Sequence, residues 1–161
     1  VSEAGTSLTM ETVDLLEVAK ECVERQKVNA KRSFISLTYL GESAPVLGSR
    51  SLLDELCQNL CDNAIRYNRP GGKVQLITAC TRDGHCSLTV KDNGIGIPKE
   101  AQSSVFERFY RVDKSRSKAT GGTGLGLAIV KHIARIHNAR IKLESEIGEG
   151  TTITVLFETA H

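Results

Sequence analysis

Two asparagines and an arginine recur at helical spacing in the middle of the chain. Asn59, Asn63 and Arg66 lie four and three residues apart, so their side chains project from one face of a predicted helix. The opposite side of this helix is apolar and consists of Leu53, Leu56, Cys57, Leu60 and Ala64. Two amides and a guanidinium in line form a polar wall that suits a phosphate chain and its metal ion. An ordinary solvated helix face has the same composition, so this motif alone does not establish a site.

A glycine-rich segment, Asp-Asn-Gly-Ile-Gly-Ile-Pro at residues 92–98, directly follows a predicted strand. A carboxylate such as that of Asp92, at the end of a strand, can accept a hydrogen bond from an amino group. The glycines that follow let the backbone approach a flat ligand closely. Turns that are capped by an Asx residue have similar sequences, so this segment is also ambiguous when it is taken alone.

A third segment, Gly-Gly-Thr-Gly-Leu-Gly-Leu at residues 121–127, opens a predicted helix. The free N–H groups and the positive end of the dipole at such a position suit phosphate oxygens. The segment does not follow a strand in a β-α-β unit, which disfavours a dinucleotide-binding motif. It also lacks the Gly-Lys-Ser/Thr ending of a P-loop.

The elements that must position these motifs are visible as periodic patterns. Apolar residues three and four apart, Val13 among them, predict a first helix from Thr12. Alternation predicts a half-buried strand over residues 35–39. The second helix is predicted over residues 52–67, with candidate N-caps in the stretch 48–51.

The second half of the chain is predicted to contain a hairpin, a short helix, a long helix and two closing strands. Asp83-Gly84 suits a tight turn between the two strands of the hairpin. The short helix is expected to end near Phe106, and residues 111–122 are expected to form a mobile loop. The long helix is predicted from about Gly124, with Leu125, Ile129, Ile133 and Ile136 on its buried face. The closing strands are separated by a turn at residues 148–150.

The turns within the hairpin and between the closing strands are too short for parallel crossovers. The sequence therefore predicts an α+β fold, a two-layer α/β sandwich in which three helices cover one face of a mixed, mainly antiparallel sheet. We expect residues 1–11 to be a flexible linker and residues 12–161 to form the domain.

Composition excludes several classes of protein. The 161 residues are 40% hydrophobic and 25% charged, as in one ordinary globular domain. A net charge of +2 is too small to predict binding to nucleic acid or to a membrane surface. There is no apolar run of membrane length and no signal peptide, so we expect a cytoplasmic domain without direct membrane contact.

Five cysteines occur, at positions 22, 57, 61, 80 and 86, and none is in a CxxC pair. Cys57 and Cys61 are spaced to face a metal ion, but no histidine or third cysteine lies near them in sequence. We expect all five to be small buried residues in a reducing compartment.

In this order, the motifs resemble those of the catalytic and ATP-binding domain of bacterial sensor histidine kinases, within the wider group of Bergerat-type proteins that includes gyrase, Hsp90 and MutL. Residues 59–67 are similar to the N box and residues 92–98 to the first glycine box. The F box is matched by residues 106–111, the second glycine box by residues 122–127 and the last glycine motif by residues 148–151.

The resemblance implies ATP and Mg²⁺ as cofactors and gives each residue a role. Asn63 would supply an amide oxygen to Mg²⁺, while Asn59 and Arg66 would contact phosphates or the water shell of the metal. Asp92 would accept from the adenine amino group, and Tyr67 would pack beside the base or ribose. The remaining nucleotide contacts would come from Gly94, Gly96, Ile97, Tyr110, Arg111, Arg116, Gly122, Thr123, Gly124, Leu125, Gly126, Leu127 and Thr151. Of these, Arg111 and Arg116 would reach the terminal phosphates, and Arg111 and Asn59 are the predicted catalytic residues.

The same resemblance separates a kinase from an ATPase. Gyrase-type ATPases carry a water-activating glutamate four residues before the metal-binding asparagine, and here that position is Asn59, which has no useful basicity. Glu55 lies one turn further away. The alternatives are an ATPase clamp and a nucleotide-sensing module without catalysis.

The partners are also implied by the resemblance. None of the four histidines has the sequence context of the family's phosphoacceptor. We expect the acceptor on a separate helical dimerisation domain of the same protein, and a response regulator receiver domain as the next partner. The parent protein would be anchored in the bacterial inner membrane.

Overall fold

The computed structural model describes residues 10–106 and 126–158, which form one five-stranded sheet, a small two-stranded sheet and three helices. The helices are α1 (Leu15–Arg32), α2 (Arg50–Arg66) and α3 (Gly126–Ile136), with a short 3-10 helix at Lys99–Ala101. The strands are β1 (Glu11–Asp14), β2 (Ser36–Gly41), β3 (Pro45–Gly48), β4 (Lys73–Cys80), β5 (His85–Asp92), β6 (Arg140–Glu146) and β7 (Gly150–Glu158).

The large sheet has the strand order β2-β4-β5-β7-β6, and only the β2–β4 pair is parallel. One face of its three central strands is apolar because inward-facing residues alternate with half-buried ones. Leu76, Val90 and Ile153 stand side by side in register on this face and are buried under the helices. The predicted two-layer α+β sandwich, with a mixed and mainly antiparallel sheet, is therefore confirmed.

The start of the domain differs from the prediction. Residues 11–14 form β1, which pairs with β3 in an antiparallel ladder, so Val13 is buried in the small sheet and not on a helix face. Helix α1 begins only at Leu15 because the Asp14 carboxylate caps it, accepting from the backbone N–H of Leu16 at 3.0 Å. The same carboxylate accepts from the backbone N–H of Ala44 at 2.8 Å, which ties the helix start to β3.

Helix α2 begins at Arg50, two residues earlier than predicted, and Ser49 in the predicted stretch is its N-cap. In helix α3 the predicted buried face is partly wrong. Ile133 is buried, but Ile129 and Ile136 are only half-buried, and the other buried residues are Leu127, Val130 and Ala134. The stripe that packs on α2 is thus rotated from the one expected. The predicted start near Gly124 and the predicted loop at residues 111–122 lie outside the described residues.

The expectation for the cysteines is wrong at two positions. Cys80 and Cys86 are paired across the β4–β5 hairpin, with Cα atoms 4.1 Å apart, and form a disulfide. The register of the hairpin brings them together, and that register could not be read from the spacing alone. Cys22, Cys57 and Cys61 are free thiols and are buried, as expected.

None of the three described helices combines the length and the apolar character that crossing a membrane requires.

Candidate functional site

The polar face of α2 is arranged as the spacing predicts. Asn59, Asn63 and Arg66 are half-buried, whereas the opposite face of the helix is buried in the core. The Asn59 side chain donates its amide N–H to the backbone oxygen of Glu55 at 2.8 Å. Its amide oxygen faces the first residue of α3, since a Cβ added to Gly126 would lie 3.5 Å from it. Two predicted site residues that are far apart in sequence are therefore neighbours.

Arg66 is held by its own helix. Its guanidinium pairs with the Asp62 carboxylate at 2.9 Å, one turn earlier. It also lines a cavity of about 460 Å³ between the C-terminal ends of α1 and α2, beside Asn29, Arg32 and Phe34. Its expected contact with phosphates stays a prediction.

Asp92 ends β5 and points one carboxylate oxygen into the protein. Its Oδ1 accepts from the backbone N–H of Gly94 at 2.8 Å and from that of Thr151 at 3.2 Å. Among the described residues no donor contacts Oδ2, which is therefore open to a ligand. Burial raises the pKa of Asp92 to about 6, against the lowering effect of the two backbone N–H groups. At neutral pH the group is an anion with one unused acceptor.

The two glycines after Asp92 allow the chain to pack on itself. A Cβ on Gly94 would lie 2.5 Å from the backbone oxygen of Tyr67, at the C-cap of α2. Gly96 has a φ of +78°, and a Cβ there would lie 2.1 Å from the backbone oxygen of Glu146. A side chain at either position would collide with the neighbouring backbone. Glycine at both positions therefore lets the loop pack directly against α2 and β6. The Tyr67 oxygen in turn accepts from the backbone N–H of Ile95 at 3.1 Å.

Ser145 is a residue that the sequence reasoning missed. Its hydroxyl accepts from the backbone N–H of Ile97 at 2.8 Å and lies 2.7 Å from the Thr151 hydroxyl. It thus joins two predicted site residues, Ile97 and Thr151, both of which are buried. The signal was present in the alternation of β6, where Ser145 shares a face with Ile141 and Leu143.

Arg69 is the second missed residue. Its guanidinium donates to the backbone oxygens of Asn93, Gly94 and Gly148 at 3.2, 3.1 and 3.1 Å. The sequence places it in a turn after α2, where a solvated arginine is the ordinary expectation.

The structure brings Asn59, Gly126 and Leu127 to one edge of the α2–α3 layer, although the Leu127 side chain is buried in the core. Tyr67, Asp92, Gly94, Gly96, Ile97 and Thr151 surround the end of β5. Seven predicted site residues lie outside the described residues: Tyr110, Arg111, Arg116, Gly122, Thr123, Gly124 and Leu125.

Comparison with known proteins gives a family match over most of the chain. A model described as "Histidine kinase-, DNA gyrase B-, and HSP90-like ATPase" matches residues 48–161. The sensor-like histidine kinase SenX3 of Mycolicibacterium smegmatis is 49% identical over 150 residues, which are 91% of this chain and 38% of that protein. The sensor histidine kinase YkoH of Bacillus subtilis is 38% identical over 97% of this chain and 34% of its own length. The chain thus spans little more than a third of these relatives.

Solved structures agree with the sequence relatives. The mycobacterial sensor histidine kinase MprB superimposes with a TM-score of 0.79 at 32% identity, over 93% of this chain and 97% of that one. Full-length ShkA, solved in complex with AMPPNP, gives a TM-score of 0.81 at 25% identity, over 98% of this chain and 33% of that one.

The region that these proteins match contains the sequence motifs in their expected order. It also contains the half-buried carboxylate at the end of β5 and the polar face of α2. The chain belongs to the family of histidine kinase-, DNA gyrase B- and HSP90-like ATPases, as the catalytic ATP-binding domain of a sensor histidine kinase.

Proposed function

We propose that this chain binds MgATP and transfers the γ-phosphate to a histidine on a separate helical dimerisation domain of the same protein. A response regulator receiver domain then takes the phosphoryl group. The observation that carries the proposal is the Asp92 carboxylate, which is fixed through Oδ1 and leaves Oδ2 open. An anionic acceptor of this kind matches the amino group of adenine.

The choice of base follows from the same acceptor. Guanine presents a carbonyl oxygen where adenine presents its amino group, so two acceptors would face each other. An unmatched buried polar group costs about 1–3 kcal/mol, or roughly 5- to 150-fold in affinity. ATP and ADP are therefore preferred to GTP.

The residues on the polar face of α2 fit a magnesium ion. Asn63 is half-buried there, and its side-chain amide makes no hydrogen bond with another described residue. An amide oxygen is a hard donor of the kind that Mg²⁺ takes, together with phosphates and water. The ion would neutralise charge on the phosphates when it is bound. Asn63 would hold it, and Asn59 would lie beside it.

The transfer itself needs no basic residue near the γ-phosphate. The unprotonated nitrogen of the acceptor imidazole attacks the γ-phosphorus, the bond to the bridging oxygen breaks, and ADP leaves; the proton on the other ring nitrogen is then lost to a base on the acceptor's own domain or to water. Asn59 cannot remove a proton from water, and its amide N–H is bonded to the Glu55 backbone. The exposed Glu55 side chain lies a turn away. This favours a kinase, which must not lose ATP to hydrolysis.

Of the three described histidines, His85 and His137 already have partners in the structure, and His132 is exposed on α3 but lacks the sequence context of the family's phosphoacceptor. Both ring nitrogens of His137 are engaged: Nε2 accepts from the backbone N–H of Ser49 at 3.1 Å, and Nδ1 lies 2.8 Å from the Ile133 oxygen. His85 lies at the hairpin end beside Asp83. This supports an acceptor on another domain. We infer a cytoplasmic position for this domain in a parent protein that is anchored in the bacterial inner membrane.

The test uses γ-labelled ATP. Alone, the chain should bind MgATP, hydrolyse almost none and retain no label. The His-bearing helical domain, added as a separate piece, should acquire phosphate that is labile in acid and stable in base. Arg111→Ala should slow this transfer more than it weakens ADP binding. Rapid hydrolysis by the chain alone, without any gain from the helical domain, would favour an ATPase clamp.

A further inference from the structure

Arg69 lies in the turn after α2 and binds three backbone oxygens from two distant segments. Its Nη2 atom lies 3.2 Å from the Asn93 oxygen, 3.1 Å from the Gly94 oxygen and 3.1 Å from the Gly148 oxygen. Asn93 and Gly94 follow β5, and Gly148 lies in the turn between β6 and β7. One side chain therefore joins the end of α2 to both of these segments.

The backbone from which Arg69 extends is itself fixed. Asn68 is buried, and its Oδ1 accepts from the backbone N–H of Arg69 at 2.8 Å. The Arg69 oxygen accepts from the backbone N–H of Gly72 at 2.9 Å. The backbone at Arg69 is therefore fixed independently, so only the side-chain torsions are ordered when the guanidinium binds its three acceptors.

The segments that Arg69 joins are those that hold the Asp92 carboxylate. The Gly94 N–H donates to Asp92 Oδ1, while the Gly94 oxygen accepts from Arg69. The backbone N–H of Gly148 donates to the Ile95 oxygen at 2.9 Å, in the same loop. A shift of this loop would therefore move a donor to Asp92 as well as the carboxylate itself.

Arg69 acts on Asp92 through the backbone and not through its charge. The pKa of Asp92 is raised by burial and lowered by the N–H groups of Gly94 and Thr151, and no cation is among the causes. No carboxylate among the described residues pairs with Arg69, so its charge is directed at carbonyl oxygens alone.

We propose that Arg69 is a positioning residue for the nucleotide base: it fixes the loop of Asp92 and Gly94 against the turn at Gly148 and so sets the shape of the adenine pocket. This inference rests on the proposed function, because it assumes that Asp92 binds adenine. Its effect should be confined to the base end of the nucleotide.

The experiment compares Arg69→Gln and Arg69→Lys with Arg82→Gln by calorimetry with ADP and with MgATP. Arg82 is an exposed arginine in the turn of the β4–β5 hairpin, at the other end of the sheet, so it is a matched control for loss of charge. Arg69→Gln should weaken both nucleotides by the same factor, about 5- to 20-fold, because charged hydrogen bonds to the loop are lost. Arg69→Lys should recover part of this loss, and Arg82→Gln should bind as the wild type does.

Two further readouts separate positioning from general destabilisation. Affinities are measured well below the melting temperature of each variant. The pH midpoint of ADP binding should rise in Arg69→Gln, because displacement of the Gly94 N–H removes a donor that lowers the pKa of Asp92. Unchanged affinity in Arg69→Gln, or a loss confined to MgATP, would overturn the positioning role. A wild-type chain that binds neither nucleotide would overturn the proposed function itself, and this inference with it.

Discussion

At the scale of single residues, the charge on the Asp92 carboxylate is expected to favour nucleotide binding and to lower the stability of the fold. Burial raises the pKa of this carboxyl from the ordinary value of 3.8 to about 6. Because the folded state holds this proton more tightly than the unfolded state, stability falls as the pH rises from about 4 to 6. The ionised carboxylate that is proposed to bind adenine is thus a group that weakens the fold at neutral pH.

Asp92→Asn should therefore stabilise the protein while it removes nucleotide binding. Its amide oxygen can still accept from Gly94 and Thr151, but its NH₂ group would then face the adenine amino group. We expect a gain on the order of 1–2 kcal/mol at pH 7 and little change at pH 4. Urea unfolding at both pH values measures the gain, and calorimetry with ADP measures the binding. An equal effect at both pH values would show that ionisation is not its cause.

Phe34 is a second residue that lowers stability, here because a residue with a side chain is held in a left-handed backbone conformation. It has a φ of 59° just after α1, and it is 72% exposed. The backbone N–H of Ile35 bonds to the Ala30 oxygen at 2.9 Å and that of Phe34 to the Lys31 oxygen at 3.1 Å, which is the helix ending that usually has glycine or asparagine at this position.

Phe34→Gly should raise the free energy of unfolding by about 0.5–1 kcal/mol, since glycine removes the left-handed strain but adds freedom to the unfolded chain. Asn138 has a φ of 53° after α3 and already carries a suitable residue. Asn138→Gly is therefore the matched control and should change stability by only a few tenths of a kcal/mol. Chemical denaturation of both variants provides the comparison, and a loss of stability in Phe34→Gly would contradict the strain argument.

At the scale of elements, the start of α1 depends on Asp14. Burial would raise the pKa of this carboxyl, but hydrogen bonds from the Ala44 and Leu16 backbone N–H groups and from the Ser43 hydroxyl lower it below its ordinary value. The stabilisation is thus present above the unfolded-state pKa and is lost as the pH falls through the lower folded-state pKa.

Asp14→Ala should reduce stability by about 1–2 kcal/mol at pH 7, because the helix loses its cap and β3 its link to the helix. Below the folded-state pKa of Asp14, the stability of the wild type should approach that of the variant. Thermal melts at pH 7 and in acid give the two differences. A penalty that persisted undiminished in acid would mean that the carboxylate charge is unimportant.

These elements also show where sequence patterns stop being informative. The hairpin, the N-cap of α2 and the closing strands follow from local turn chemistry and alternation, so they could be predicted. β1 and β3 have only four residues each, and they exist because they pair with each other although their paired residues are more than 30 positions apart in sequence. The Cys80–Cys86 pair likewise depends on register, which is a property of two strands together.

The candidate site also has residues that local sequence patterns reveal and residues that only contacts between distant segments reveal. Asp92 and the asparagines of α2 could be found because their motifs are contiguous. Ser145 and Arg69 act on backbone groups from other segments, and their identity as site residues appears only when the loop after β5 and the β6–β7 turn are seen in contact.

At the scale of the whole molecule, the two ends of β5 have different tasks. Asp92 at one end belongs to the candidate nucleotide site, and Cys86 at the other is joined to Cys80. Among the described residues, no hydrogen bond or ion pair joins the side chains at one end of β5 to those at the other. Changes at the hairpin end should therefore affect folding and leave binding unchanged.

Reduction of the disulfide should lower the free energy of unfolding by about 2 kcal/mol, as expected for so short a closed loop. ADP affinity should not change. The double variant Cys80→Ser/Cys86→Ser should show the same lower stability with or without reductant. Denaturation and calorimetry, each with and without dithiothreitol, make the comparison. A weaker ADP complex after reduction would show that the two ends are coupled.

The burial of the remaining thiols has a practical consequence for spectroscopy. With Cys80 and Cys86 joined and Cys22, Cys57 and Cys61 inaccessible, the native chain offers no surface thiol to a maleimide dye. Ile147 is 65% exposed and adjoins Gly148, the residue that Arg69 holds. Ile147→Cys would therefore place a single fluorophore beside the loop after β5, and its emission would report ligand occupancy in real time without removal of any native cysteine.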